Sequence, residues 1–353
     1  MRKAGFAVDL IDIDPNWRIY GAGITITGPT MRALRTIGVL DSVICQGATW
    51  NNALVHDRSG RLLAAVDLPR LSADLPATGG VMRPVLHNIL STTTRESGTR
   101  VRLGLTVAAL RELPDHAEVQ FSDGSESRYD LVVAADGIFS KLRERVFPEA
   151  PAPVFTGQVV YRIVADRPAG FACSHFFMGA DSKVGFNPVS ATQMYMFLLH
   201  RGAADPRIEL AHQPQKLYEA MEGFGGFVPD IRDTVRTTNA HSVNYRCLDV
   251  LLHPAPWHRG HVVLIGDAAH ATTPHLASGA GMAIEDGIVL TEEIQVRDSL
   301  AEALQGFMAR RFERCRAVIE NSVELGRLEM NHGSPAVHTK LMADSLNALR
   351  EPI

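Results

Sequence analysis

Apolar residues along this chain fall into short runs separated by Gly, Pro and charged breaks. Residues 7–13 alternate and cluster like a buried strand that closes on acid at Asp12. Met1 to Gly5, just before it, read as a helix tail with Gly5 placed as its cap. "GAGITIT" (21–27) continues as an extended, Gly-rich piece. Within residues 29–43, Met31, Leu34 and Ile37 share one helical face, and Gly38 is placed to end the helix. "ALVHDRSGRLLAAVD" (53–67) predicts a hairpin turning at "DRSG". "PVLHNILSTTTRESG" (84–98) predicts a helix closed by Gly98. Residues 117–136 predict two strands about a Ser-Asp-Gly turn. The second, "LVVAAD", is apolar without alternation, as a strand covered on both faces should be.

From about Pro151 to Pro254 the pattern turns to strands such as "GQVVYRIVAD" and "TQMYMFLLH", with a helical pair around "PQKLYEAMEGF". "HVVLIGD" (261–267) is again a buried parallel strand, followed by a Gly-rich turn and a helix from about Gly281. Residues 299–327 form a long amphipathic helix rich in Arg and Glu, and a loop and a last helix follow. The expected fold is α/β. A Rossmann-like nucleotide-binding domain spans 1–150 and 255–330, a β-rich domain is inserted at 151–254, and a C-terminal tail with a helix occupies 331–353. A strand ending in acid is the second strand of a dinucleotide-binding βαβ unit, which also needs a first strand and a G-x-G-x-x-G turn. Nothing ahead of Met1 supplies them, so the domain reads as N-terminally truncated. A start codon assigned too late accounts for such a beginning, with the functional product starting upstream.

Composition narrows the function classes. The chain has 353 residues, 46% hydrophobic and 21% charged, with a formal net charge of −4. That is an ordinary globular composition without the basic footprint of nucleic-acid binding. Cys45, Cys173, Cys247 and Cys315 lie far apart, which favours neither a metal cage nor a disulfide framework. No apolar run is long enough to span a bilayer, and no signal peptide opens the chain. A cytoplasmic monomer or homodimer acting on a small molecule is the expectation, with no metal, nucleic acid or membrane partner.

The chemistry concentrates in "VVLIGDAAHATTPHLASGAGMAIEDG" (262–287). A buried strand delivers Gly266 and Asp267 at its carboxyl end, where open α/β sheets bind ligands. Asp267 is a carboxylate suited to polyol hydroxyls. Beyond Pro274, Gly279 and Gly281 bare backbone N–H groups at a helix start, which favours negative charge nearby.

"GDAAHATTP" resembles the G-D motif of the FAD-dependent aromatic monooxygenases, the single-component group typified by para-hydroxybenzoate hydroxylase. "YDLVVAADGIFSKLR" (129–143) resembles that family's D-G motif, with Asp136, Gly137, Ser140 and Arg143 in register. "GFAVDLIDID" is similar to its second strand, with Asp12 where an acid, more often Glu, holds the adenosine ribose. "GAGI" (21–24), "RPVLHNIL" (83–90) and "APWHRG" (255–260) also fit, so the matches run in order through roughly residues 5–325.

The resemblance implies FAD as cofactor and NADH or NADPH as co-substrate. It implies hydroxylation of an electron-rich aromatic by O2 through a flavin C4a-hydroperoxide. It places Asp12 on the ribose, Ala22 and Gly23 beside the flavin, and Arg83 near the phosphates or ribityl chain. Asp136 would handle FAD and pyridine nucleotide, and Asp267 the ribityl chain. Pro274 would stand at the reacting face, and the backbone of Ala277, Ser278, Gly279, Ala280 and Gly281 would face the flavin pyrimidine. His275 is the loop histidine expected to face the active site, with a solvated loop residue as the other reading. Tyr161 and Tyr195 are expected to line the substrate cavity, with ordinary core alternation as the other reading. Two features depart from the family. Ala277 stands where it commonly has Gly, and the phosphate loop is missing. A chain that folds without FAD and lacks activity therefore stays open, as does another flavin reaction on the same fold. Halogenation does not, because Trp17, Trp50 and Trp257 are too dispersed for that signature.

Overall fold

The parallel strands that carry the acidic motifs form two separate pieces. The structure is a computed structural model that describes residues 1–19, 21–203 and 207–353. Strand Asp9–Asp12 runs parallel to Arg100–Leu103. Strand Val132–Ala134 runs parallel to Val262–Leu264, which also pairs antiparallel with His258–Arg259. Among the described residues, the two pieces share no strand pairing. All three motif acids sit where parallel strands end: Asp12 closes its strand, Asp136 lies just past Ala134, and Asp267 just past Leu264. The register Ala134↔Leu264 brings the last two out side by side.

Helices Gly279–Val296 and Leu300–Met330 pack on this layer around Val262, Val263, Leu264, Val289 and Phe307, all fully buried. The long helix begins where Ser299 accepts a hydrogen bond from the Glu302 N–H, a side-chain cap worth about 1 kcal/mol. It runs past the expected residue 327 to Met330, and a final helix, Pro335–Ala348, packs against it. The helix with Met31 and Leu34 on one face, Gly28–Thr36, ends just before Gly38 as expected; Gly38 turns left-handed and a second helix, Leu40–Gln46, follows.

A small antiparallel sheet orders Gly23–Thr27, Thr78–Met82 and Ala48–Trp50, and leads straight into helix Arg83–Glu96. A seven-stranded sheet holds Asn244–Val250, Val154–Asp166, Gln193–Arg201, Ser182–Pro188, Ser174–Met178, Asn52–Asp57 and Leu62–Asp67 in that order. The hairpin expected at 53–67 therefore forms, but at the far edge of this sheet, with Asn52–Asp57 parallel to Ser174–Met178. The β-rich layer thus draws two strands from the 1–150 segment as well as those from 151–254.

One face of the seven-stranded sheet is covered by helices Gln213–Ala220 and Val228–Val235 over a core that includes Phe177, Phe186 and Leu217. The other face meets the Ala22 region through Val189, Tyr195 and Val164. The cleft between that face and the parallel layer positions the site.

Candidate active site

The Gly266–Asp267 turn is fixed from behind by buried charges. The Gly266 N–H donates to Asp286 Oδ2 at 2.8 Å, and His270 Nε2 lies 2.6 Å from the same oxygen. Arg311 donates through Nε to Asp286 Oδ1 at 2.8 Å and through Nη1 to Glu285 Oε2 at 2.7 Å. Arg314 donates to both oxygens of Glu285. Burial opposes charge on His270, but Asp286 and Cys315 outweigh it and hold the imidazole well above its ordinary pKa. Burial likewise pushes Asp286 up, while His270 and Arg311 override it and hold the carboxyl below its ordinary range. His270, Asp286 and Cys315 cluster within 4.8 Å, yet the Asp286 oxygens are already taken by two cations and a backbone N–H. The cluster is an ion-pair network that sets the turn.

Asp267 opens into the cleft. The surrounding protein raises its pKa, and His270 and Arg83 pull it back only in part. Arg83 enters from the first turn of helix Arg83–Glu96, where its backbone N–H donates to Ala22 O at 3.1 Å. Burial lowers the Arg83 pKa, Arg162 repels it, and Tyr195 and Asp267 draw it the other way. Neither Arg83 nor Arg162 has a side-chain hydrogen bond or ion pair among the described residues. Between these groups runs the Gly21–Gly23 backbone. A Cβ on Gly21, at φ +126°, would come within 2.9 Å of Arg83 Cδ, and one on Gly23 within 2.7 Å of Tyr195 Cβ. Gly21 and Gly23 approach the arginine and the tyrosine this closely because neither has a side chain, while the Ala22 methyl packs with Tyr195.

Residues 274–281 close the cleft. Pro274–Leu276 form one 3-10 turn, and Ala277 is left-handed at φ 48°. Glycine would adopt this backbone freely, and Ala277 adopts it at a cost of about 1–2 kcal/mol. The Ser278 hydroxyl donates to Leu276 O at 2.7 Å, so helix Gly279–Val296 starts without a side-chain cap and leaves its first N–H groups for another acceptor. Gly281 serves packing instead: a Cβ there would come within 2.4 Å of Thr30 Oγ1 on helix Gly28–Thr36. Asp136 spends its carboxylate on the Ser140 hydroxyl and the Lys141 and Leu142 N–H groups at the start of helix Lys141–Val146. Arg143, buried, donates to Ala268 O at 2.9 Å and Ile138 O at 2.8 Å, and so ties the two motifs together. Asp12 accepts the Asp14 N–H at 2.8 Å and stands on the other piece of the parallel layer.

Three expected residues sit differently from their neighbours. The His275 side chain is fully buried against Thr273 and Glu329, so it is not a solvated loop residue. Tyr161 lies on the helix-covered face of the sheet, against Tyr245 and His200, and is separated from the cleft by the strand itself. Tyr195, opposite Val164, lies on the cleft face against Ala22. Sequence reasoning missed Arg162, Arg311 and Asp286. The alternation of strand Val154–Asp166 places Arg162 on the same face as Val160 and Val164, and that signal was available. A cavity of about 720 Å³ joins Gly21 and Ala22 to Val164, Asn244 and Arg246.

An exposed carboxylate just past a strand end, an uncapped helix start, the close-packed Gly21–Gly23 backbone and unpartnered arginines together fit a flavin nucleotide. No described residues form the phosphate-binding turn that such a site also uses. A sequence model of the FAD binding domain family matches residues 1–320, and the chain belongs to that family. It is an oxidoreductase of the FAD-dependent monooxygenase kind. It is 32% identical over 331 residues to a Pseudomonas aeruginosa 2-heptyl-3-hydroxy-4(1H)-quinolone synthase, covering 92% of this chain and 84% of that one. The aurachin C monooxygenase/isomerase of Stigmatella aurantiaca is 28% identical over 93% of this chain and 85% of its own. In fold, the chain matches Klebsiella pneumoniae HpxO, crystallised with FAD and uric acid, at a TM-score of 0.84. That match has 24% identity and covers 99% of this chain and 88% of the other. Among the described residues, no helix is long and apolar enough to cross a membrane.

Proposed function

We propose that this protein hydroxylates a flat, electron-rich aromatic molecule, with NADH or NADPH as reductant and O2 as oxidant. The observation that carries this reading is Arg83, held against the Gly21–Gly23 backbone and within electrostatic reach of Asp267, whose turn leads on to the uncapped start of helix Gly279–Val296. Bound FAD supplies electron transfer and oxygen activation there. Asp267 would hold the ribityl hydroxyls, Asp12 the ribose and Arg83 a phosphate or ribityl oxygen. The helix start at Ala277 to Gly281 would stabilise negative charge on the ring system, and Pro274 would stand over its reacting face. The relatives' own named molecules, a quinolone and uric acid, are flat heteroaromatics.

The substrate side is the cleft face of the sheet. Val160, Phe197, Leu199 and Leu248 form an apolar floor that would exclude water. Arg162 pairs in register with Phe197 and Asn244 and so stands on the same face. Arg162, without a partner, would orient a ring carrying an acidic group. Arg162→Met is expected to weaken binding of a benzoate-type probe by about 1.5–3 kcal/mol, the range for a charged hydrogen bond, with FAD affinity unchanged. Equal binding by both proteins in a calorimetric titration would remove Arg162 from this role.

The deciding experiment is the visible spectrum of the purified chain before and after adding FAD. The flavin absorption bands, retained through gel filtration, are the expected result. NAD(P)H oxidation that accelerates with an aromatic ligand is expected to accompany them. A chain that stays colourless with excess FAD would refute the reading.

A further inference from the structure

Glu329 lies beyond residue 320, where the family match ends, yet its side chain reaches the loop beside the candidate flavin site. One carboxylate gathers three elements. Lys183, on strand Ser182–Pro188, donates to Glu329 Oε1 at 2.5 Å. His338 Nε2, on helix Pro335–Ala348, lies 3.2 Å from the same oxygen. His275 Nε2 lies 3.4 Å from Oε2, in contact but without the alignment of a hydrogen bond. The other ring nitrogen, Nδ1, is 2.8 Å from Thr273 Oγ1.

The same helix also shapes the wall behind the histidine. Gly326 is three residues before Glu329 and so on the same helix face. A Cβ on Gly326 would come within 2.9 Å of His275 Cε1 and 2.5 Å of Gln158 Oε1. The His275 ring is therefore seated between a bare stretch of helix backbone and a buried carboxylate. Burial opposes the Glu329 charge, but Lys183 and the two histidines override it and hold its pKa well below the ordinary range. Burial lowers the His275 pKa despite the pull of Glu329. A buried, ionised carboxylate has strong positional preference because moving it from its cation is costly.

We infer that Glu329 is a positioning residue for the Pro274–Gly281 loop, acting through His275 and registering that loop against strand Ser182–Pro188 of the seven-stranded sheet. The inference rests on the reading that this loop faces the flavin. Loop and strand belong to the two walls of the cleft, so this contact sets the spacing between cofactor and substrate surfaces.

The test follows amide hydrogen exchange in the FAD-free chain for wild type, Glu329→Gln and Glu329→Asp, with FAD affinity and the bound-flavin spectrum as second readouts. In Glu329→Gln, amides of residues 273–282 are expected to exchange at least about tenfold faster, with Val262–Leu264 and Val154–Asp166 unchanged. Glu329→Asp, which keeps the charge, restores protection in part. FAD affinity in Glu329→Gln is expected to fall about tenfold, with a shifted flavin spectrum. Unchanged exchange in 273–282, or equal acceleration in the remote strands, overturns the inference. So does an FAD affinity and spectrum identical to those of a wild type that binds FAD. If wild type binds no FAD, the flavin reading fails by itself, and the exchange comparison still decides whether Glu329 holds the loop. Should Glu329→Gln not fold, Lys183→Met, which removes the cation that ties the carboxylate to strand Ser182–Pro188, carries the same expectations.

Discussion

Asp286→Ala is expected to destabilise the protein by about 3–5 kcal/mol, the range for removing one partner from a buried ion pair. The loss has three parts. The Gly266 N–H loses its acceptor, Arg311 loses one of its two carboxylates, and His270 keeps a buried charge without its counterion. Urea unfolding of both proteins measures it, and a loss below about 1 kcal/mol would contradict the network. The pH dependence has a definite sign. His270 is held above its unfolded value, so its share is complete below about pH 6.5 and fades as pH rises through the folded value. Asp286 is held below, so its share is complete above about pH 3.9 and fades as pH falls through the folded value. The gap between wild type and variant is therefore widest in the mid-pH range and narrows toward both extremes.

Asp267 should behave in the opposite way. Asp267→Ala is expected to weaken FAD binding by about 1.5–3 kcal/mol per charged hydrogen bond lost, roughly 10- to 100-fold for the first. The FAD-free protein is expected to hold or gain stability at neutral pH. The surrounding protein raises the Asp267 pKa, so folding favours its neutral form. Flavin fluorescence titration and thermal unfolding without FAD, run on the same pair, test both halves. A variant that binds FAD as tightly as wild type would refute the ribityl role.

These two aspartates show what the sequence made legible. Asp267 ends an apolar strand in a recognisable motif, and strand ends are where sheets present ligand groups. Asp136 and Asp12 were legible for the same reason. Asp286 was not, because its meaning comes from Arg311, twenty-five positions on, across a helix–helix contact that no local pattern encodes. The 53–67 hairpin was legible as strands, but its partner Ser174–Met178 is set by long-range pairing. Tyr161 and Tyr195 both lie in alternating strands. Alternation says that neighbours face opposite ways, and only the register of the sheet says which way is the cleft. His275 read as an active-site or solvated loop residue because the hollow that receives it is made by Gly326, fifty-one positions on.

The split in the parallel layer has a further consequence. Asp12 stands on a two-stranded piece, a unit with marginal stability of its own, while Asp267 stands on a piece packed under two long helices. A nucleotide long enough to touch both acids is a strut across that seam. Its binding would stabilise the weaker piece, and free cofactor concentration would then enter the melting temperature by mass action.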